Sequence, residues 1–407
     1  MNKKEFIKNI LNSELSEEKI NFLLTFKDFD ILNALVKKIG QLSDNKYAKI
    51  LKKIIKHSDY SLLRREAVSS IGRIRDKKNN NFLLSLLNDH DPNVVLQAIR
   101  GLLIFKQDKY ILNKLLSLKK HENELVRKII NQELLIKEES NNEYDNESYC
   151  LYEGDSLNIL KKMKKNIVDL TFTSPPYYNA RDYSIYNSYN QYLKILESIF
   201  KQVFRVTKHG HYLIVNTSPI MMPRFSRNHS STRYPIPFDL NYLLIKMGWE
   251  FVDDIVWKKP EPSVMNRNGT FQKGKKPLTY KPNLVTEYIL VYKKPSILLT
   301  EDIINKVSLD NQKNSLIKES IFSTNIWEIS PVSDKIHLAP FPKKLSDLII
   351  KLYSYKNDLI LDPFAGIGTV GHSCIELERK SILIEKESKY VQEILKRHPI
   401  FNKRNNY

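Results

Sequence analysis

The 407-residue sequence holds only two cysteines, Cys150 and Cys374. Two thiols cannot staple a chain of this size, and neither lies in a metal-ligand spacing. A disulfide framework and a structural zinc site are therefore excluded, no metal is expected, and the thiols should be reduced. No apolar run is long enough to span a bilayer. The opening residues, MNKKEFIKNILN, lack the unbroken apolar core and small-residue cleavage site of a secretion signal and read as an amphipathic helix. A soluble protein of the prokaryotic cytoplasm or nucleoid is expected. Acids are also short, with 46 Asp and Glu against 65 Lys and Arg, a net charge of +19 and a pI near 9.5. Such a surplus suits a polyanionic partner, because Lys and Arg release counterions from a phosphate backbone. Against that stands a plain solubility surplus in a Lys- and Asn-rich proteome.

What is present is globular in texture, with 42% hydrophobic and 27% charged residues. The length calls for two or three domains. Residues 1–136 have almost no glycine and read as helices. RREAVSSIGRI from Arg64, VVLQAIRGLLI from Val94 and a weaker ELVRKIINQEL from Glu124 recur, so that Ala67–Val68, Ala98–Ile99 and Ile129–Ile130 fall at a step of about 31 residues. HDPNVVLQAIRGL, from His90, resembles the helix-pair signature of HEAT-type repeats, which stack to bury their apolar faces. A generic helical bundle is the alternative. Arg64, Arg65, Arg73, Arg75 and Arg100 make duplex DNA the favoured partner of this module, ahead of another protein. Residues 137–148 are polar and acidic and read as a linker. From 149 to 407, β-rich runs alternate with amphipathic helices, which indicates an α/β domain.

Two turns in that domain carry chemistry. Thr173-Ser174-Pro175-Pro176-Tyr177 follows the buried strand VDLTFT, and in an open α/β sheet the carboxyl ends of strands line the ligand crevice. Two prolines remove two backbone donors and stiffen the turn. An exocyclic amine of a base is a poor nucleophile, because its lone pair is delocalised into the ring. Two acceptors that take both amine hydrogens draw the nitrogen towards a tetrahedral shape, and the Ser174 hydroxyl and Pro175 carbonyl can be those acceptors. Tyr177 can stack on the base, which must first be flipped out of a duplex. The bland alternative is a rigid Pro-Pro turn beside an ordinary aromatic. The second turn, LDPFAGIGTV from Leu361, follows the strand DLIL and precedes a helix. Gly366 and Gly368 permit a tight turn, Asp362 sits at the strand end, and Glu385 ends the next strand, where an acid can accept from two ribose hydroxyls. A solvated strand-end carboxylate is the alternative for Glu385. The turn lacks the Lys and Ser/Thr of a P-loop, which disfavours ATP.

TSPPY followed by DPFAGIGT resembles the amino-group DNA methyltransferases in their permuted beta order, in which the catalytic motif precedes the cofactor motif. YEGDSL from Tyr152 and HLAPFPKKL from His337 resemble further family segments, and the likeness covers about residues 149–395. It implies a Rossmann-like, mostly parallel-sheet methyltransferase domain dependent on S-adenosyl-L-methionine, preceded by the all-α HEAT-like domain. By resemblance, Ser174, Pro175, Pro176 and Tyr177 form the catalytic motif. Asp362, Pro363, Phe364, Gly366, Gly368 and Thr369 would cradle the cofactor and Glu385 would hold its ribose. Asp155 would lie near cofactor or target base, and His337, Pro340 and Phe341 would close over the cofactor.

Ser at the first catalytic position resembles the cytosine-N4 members, whereas Asp or Asn there resembles adenine-N6 members, which remain the alternative. Cytosine-C5 chemistry needs a positioned Cys nucleophile, and neither cysteine has the context for one. Two loops are candidates for base readout. Residues 257–282 hold seven basic side chains against one acid, among them Lys258, Lys259, Arg267, Lys273, Lys275 and Lys276. Residues 219–235 carry Arg224, Arg227, His229 and Arg233. A solvated basic loop is the competing reading for each. The expected partners are double-stranded DNA and a cognate restriction endonuclease acting on the same sequence, since no nuclease-like carboxylate–Lys cluster is present in this chain. A non-catalytic HEAT-type scaffold is the alternative from another class, and the two intact motifs argue against it.

Overall fold

The computed structural model describes residues 3–404 except 13, 27, 136–140, 145–147, 179–185, 223–231, 264–273, 276, 279–281 and 335–340. The chain divides into two compact units, Met1–Lys137 and Glu138–Tyr407. Among the described residues no helix is long and apolar enough to cross a membrane, and no cluster of His, Cys, Asp or Glu could hold a metal ion.

Among the described residues, the first unit contains helices and no strand. Helices Ala48–His57, Asn80–Ser85 and Lys109–Ser117 each precede a second helix, Ser61–Ile74, Pro92–Leu103 and Glu124–Ile130 respectively. Local chemistry starts several of them. Asp91, Asp108 and Asn123 accept hydrogen bonds from main-chain N–H groups of the following turn, and Pro92 occupies the first helical turn. The 31-residue step has a direct cause. Ala67, Val68, Ala98, Ile99 and Ile130 are fully buried, and Ile129 packs half-buried against the same core. Successive second helices touch backbone to backbone: a Cβ on Gly72 would lie 3.1 Å from the Cα of Gly101.

The second unit is built on β1 (Tyr149–Glu153), β2 (Val168–Thr173), β3 (Thr207–Thr217), β4 (Ile220–Met222), β5 (Thr232–Tyr234), β6 (Glu250–Lys258), β7 (Thr286–Lys293), β8 (Ile326–Glu328), β9 (Leu359–Asp362), β10 (Lys380–Glu385) and β11 (Asn402–Arg404). Nine of these form one sheet in the order β11-β1-β10-β9-β2-β3-β7-β6-β8, and β4 pairs with β5 alone. From β11 to β3 all neighbours are parallel, whereas β7 is antiparallel to both β3 and β6. Strands β2 and β9 are buried along their whole length, as central strands are when helices cover both faces. Helices Ser156–Lys162, Tyr189–Val206 and Ile236–Lys246 supply one apolar layer, and Lys343–Tyr353 with Thr369–Glu376 supply the opposite one.

Two residues of the polar stretch before β1, Asn141 and Asn142, bond to this unit. The Asn142 main-chain N–H donates to the Asn166 carbonyl at 2.8 Å, and the His209 N–H donates to Asn141 Oδ1 at 3.0 Å. Its apolar-poor composition concealed these polar anchors, because Asn satisfies main-chain groups without burying hydrocarbon.

Candidate active site

Strands β1, β10, β9, β2 and β3 run parallel, so their carboxyl ends meet at one edge of the sheet. Because β7 runs the other way, its first residues arrive at that same edge. The site is assembled from these ends.

The glycine turn is cross-braced by two carboxylates. Asp362, 1% exposed, accepts from the Thr173 hydroxyl at 2.6 Å and from the Phe364 N–H at 3.0 Å. It thus ties the end of β9 to the residue that precedes Ser174. Burial pushes its pKa up to about 7, against the opposing pull of those two donors. Glu385, at the end of β10, accepts from the Gly366 N–H at 2.7 Å and the Glu387 N–H at 2.8 Å. Its pKa is also raised by burial, with the main-chain donors opposing. Gly366 and Gly368 take φ of +55° and +82°, which favour glycine, and a Cβ on Gly368 would meet Ile394 at 3.0 Å. Pro363 is buried and its carbonyl accepts from the Ser156 hydroxyl at 2.5 Å. Thr369 opens the following helix, and Phe364 is half-buried against the apolar layer. Asp155 is exposed and caps the helix Ser156–Lys162 through the Asn158 N–H. Phe341 packs on Phe172 of β2 with ring centres 5.2 Å apart. His337 and Pro340 lie outside the described residues.

The Pro-Pro turn sits beside the glycine turn. The Ser174 hydroxyl donates to the Asn216 carbonyl of β3 at 3.1 Å, and the Asn216 side-chain amide approaches Ser174 Oγ at 3.4 Å. With its hydrogen committed to a main-chain carbonyl, Oγ keeps lone-pair density for a donor. Pro175 is buried and Pro176 half-buried. The two adjacent tyrosines part company. Tyr178 turns into an aromatic cluster with Tyr186, Tyr189, Tyr192 and Tyr234. Tyr177 instead donates its hydroxyl to Glu287 Oε2 at 2.8 Å. Burial, and then the Glu287 charge, hold the Tyr177 hydroxyl well above its ordinary pKa, so it remains a neutral donor.

Sequence reasoning missed Glu287 and Asn216. The only signal for Glu287 was an acid opening the otherwise apolar strand TEYILVYK. Glu287 also engages one of the candidate DNA-contacting cations, Lys259. Lys259 pairs with Glu287 Oε1, and its ammonium lies 4.6 Å from the centre of the Trp257 ring. Lys258 is exposed and pairs with Glu328 at 2.7 Å, and Lys275 is exposed. Arg233, on β5, donates to the Pro282 carbonyl at 2.7 Å and so ties the two basic loops together. Arg224, Arg227, Arg267, Lys273 and Lys276 lie outside the described residues.

Comparison with known proteins gives two family matches. The DNA methylase model matches residues 168–396, and the HEAT-repeat model matches residues 48–134. The Type II beta methyltransferase M.BslI of Bacillus sp. (strain NEB-606) is 30% identical over 252 residues, which are 60% of this chain but only 26% of M.BslI. The chain therefore spans about a quarter of that relative's length, 26%. The Type II methyltransferase M.ScaI of Streptomyces caespitosus is 27% identical over 262 residues, 61% of this chain and 80% of its own. Among solved structures, the Thermus thermophilus protein TTHA0409 in complex with S-adenosyl-L-methionine superposes with a TM-score of 0.51 at 24% identity, over 63% of this chain and 100% of its own. That likeness establishes a shared fold.

Proposed function

Since the chain belongs to the DNA methylase family, we propose that it methylates the N4 amine of cytosine in duplex DNA, using S-adenosyl-L-methionine. The observation that carries this reading is the Ser174 hydroxyl, oriented as an acceptor beside the rigid Pro175. An amine whose two hydrogens are bonded by Ser174 Oγ and the Pro175 carbonyl gains lone-pair density on nitrogen. Tyr177 offers its ring face to a base flipped from the stack.

The residues present fit the cofactor. The glycine turn is held between two buried strand-end carboxylates, and Glu385 keeps lone pairs able to accept from ribose hydroxyls. S-adenosyl-L-methionine supplies an electrophilic methyl group when bound. Asp362, Pro363, Phe364, Gly366, Gly368 and Thr369 form the turn that would hold it, Phe341 backs the site through Phe172, and Asp155 flanks it. The Type II names of the relatives support a role as the modification enzyme of a restriction–modification system, with a cognate endonuclease as partner. The reading is tested by incubating the protein with labelled cofactor and plasmid DNA and identifying the methylated nucleoside.

Transfer is direct, with no enzyme–base adduct. Cys374 is buried and burial raises its thiol pKa, while Cys150 is buried beneath the Tyr144 hydroxyl at 3.3 Å. Both thiols are shut away from a base. The Cys150→Ser, Cys374→Ser double variant is expected to retain activity at temperatures where it stays folded. A protein–DNA adduct trapped through either sulfur contradicts direct transfer.

We assign DNA-backbone contact to the helical unit. Arg64 is engaged with Asp89, and Arg73 with Glu66 at 3.5 Å. The first helices of the three pairs, Ala48–His57, Asn80–Ser85 and Lys109–Ser117, contain no acid, and Lys49, Lys53, Lys56, Lys109 and Lys114 are exposed on them. Replacing Lys49, Lys53 and Lys56 by Gln in the full chain should flatten the salt dependence of DNA binding by about 0.9 per lost phosphate contact, with cofactor affinity unchanged. Equal slopes in a salt titration reject this assignment.

A further inference from the structure

We propose that Glu287 is a positioning residue for this methyl transfer: its carboxylate, fixed by Lys259, sets the Tyr177 ring and, through Asn216, the Ser174 hydroxyl. The inference rests on the DNA-methylation reading above and adds to it a residue that neither motif contains.

The topology brings Glu287 to the site. It is the second residue of β7, which lies between β3 and β6 and enters the catalytic edge against the direction of β3. Its neighbour across β6 is Trp257. At 9% exposure an isolated carboxylate would be costly. Lys259 offsets that cost by pairing with Oε1. Oε2 is then left to organise the catalytic turn. It accepts from the Tyr177 hydroxyl and from the Asn216 side-chain amide, each at 2.8 Å.

Each contact has a consequence for the reacting groups. A tyrosine ring held only by a turn can rotate about its side-chain torsions. The bond to Glu287 fixes the far end of the ring and therefore the plane offered to a base. The Asn216 bond fixes which way that amide faces. With Nδ2 on Glu287, the same nitrogen approaches Ser174 Oγ, and the buried Oδ1 has no partner. Were the amide reversed, Oδ1 would face Ser174 and compete for its hydrogen, turning the hydroxyl away from the Asn216 carbonyl. Glu287 thus fixes the direction in which the Ser174 hydrogen points, and with it the direction in which Oγ can accept. It reaches Ser174 only through Asn216, and both of its oxygens are engaged, so its role is to position rather than to take a proton.

The test uses the full chain and steady-state kinetics with plasmid DNA. Glu287→Gln keeps the volume but removes the charge that Lys259, Tyr177 and Asn216 share. Charge-assisted hydrogen bonds of this kind set the expected loss of kcat on the order of 10- to 100-fold. The cofactor Kd, read by calorimetry, should stay within about twofold, since the glycine turn is untouched. Tyr177→Phe keeps the ring and removes only its anchor. It should lower kcat several-fold in the wild-type background and have no further effect in Glu287→Gln, the coupling expected of groups acting as one unit. A role confined to stability would lower Tm and leave kcat at permissive temperature unchanged. A kcat within about twofold of wild type for Glu287→Gln, or a loss that follows cofactor Kd, overturns the proposal. If Glu287→Gln does not fold, a Tyr177→Phe enzyme with wild-type kcat overturns it instead. A wild-type protein that transfers no methyl to DNA would sink the underlying reading, which is a different outcome from an active wild type with an indifferent Glu287.

Discussion

Tyr177→Ala is expected to lose about 5- to 150-fold in kcat/KM for DNA, the equivalent of one base–aromatic stack, while binding S-adenosyl-L-methionine as wild type does. Tyr177 belongs to the Pro-Pro turn after β2, and its hydroxyl is spent on Glu287 at 2.8 Å. What it has left for a ligand is its ring face. The glycine turn is braced by Asp362 and Glu385, through contacts that do not involve the Tyr177 side chain, so truncating Tyr177 is expected to leave that turn in place. Losing the ring also frees Glu287 and Asn216 to rearrange around Ser174, which adds misalignment to lost stacking and can deepen the defect. Single-turnover methylation and calorimetry on one preparation separate the two functions. Abolished cofactor binding in Tyr177→Ala would contradict the assignment of this ring to the base.

Glu385→Ala is expected to weaken cofactor binding by about 10- to 150-fold, the range for a charge-assisted hydrogen bond of about 1.5–3 kcal/mol. The carboxylate at the end of β10 is bonded to the Gly366 and Glu387 N–H groups. Those bonds do not exhaust its lone pairs, and they aim it, so the acid both shapes the turn and remains able to accept from ribose hydroxyls. Its removal acts on the bound cofactor in ground state and transition state alike. The cofactor KM should therefore rise far more than kcat falls. A collapse of kcat at unchanged cofactor Kd would give Glu385 a different role.

How much of this was legible in the sequence depends on how local each feature is. TSPPY and DPFAGIGT are runs of neighbours, and each folds as one turn at the end of a buried strand. The helical repeat was legible because Ala67, Ala98 and their partners recur at the step at which the helices stack. Asp362 was expected beside a ligand, and its hydrogen bonds lie inward, joining Thr173 to the glycine turn. Glu287 is 110 residues from Tyr177 and 71 from Asn216. They meet only because β7 is inserted backwards between β3 and β6, and no periodicity announces a strand's direction. Lys259 shows the same limit from the other side. Within a run of seven basic residues it read as a candidate DNA contact, and only the three-dimensional position of Glu287 reveals its pairing. The fates of Tyr177 and Tyr178 were equally hidden, since adjacent residues on a turn are separated by their neighbours and not by their type.

The most direct measurement is to incubate the full-length protein with methyl-labelled S-adenosyl-L-methionine and plasmid DNA, digest the DNA to nucleosides and identify the labelled species by mass spectrometry. An amine-methylating site built on Ser174, Pro175 and Tyr177 predicts label in N4-methylcytosine. Label in N6-methyladenine would overturn the choice of base while leaving amine methylation intact, and DNA that acquires no label would contradict the assignment of this site to DNA methylation.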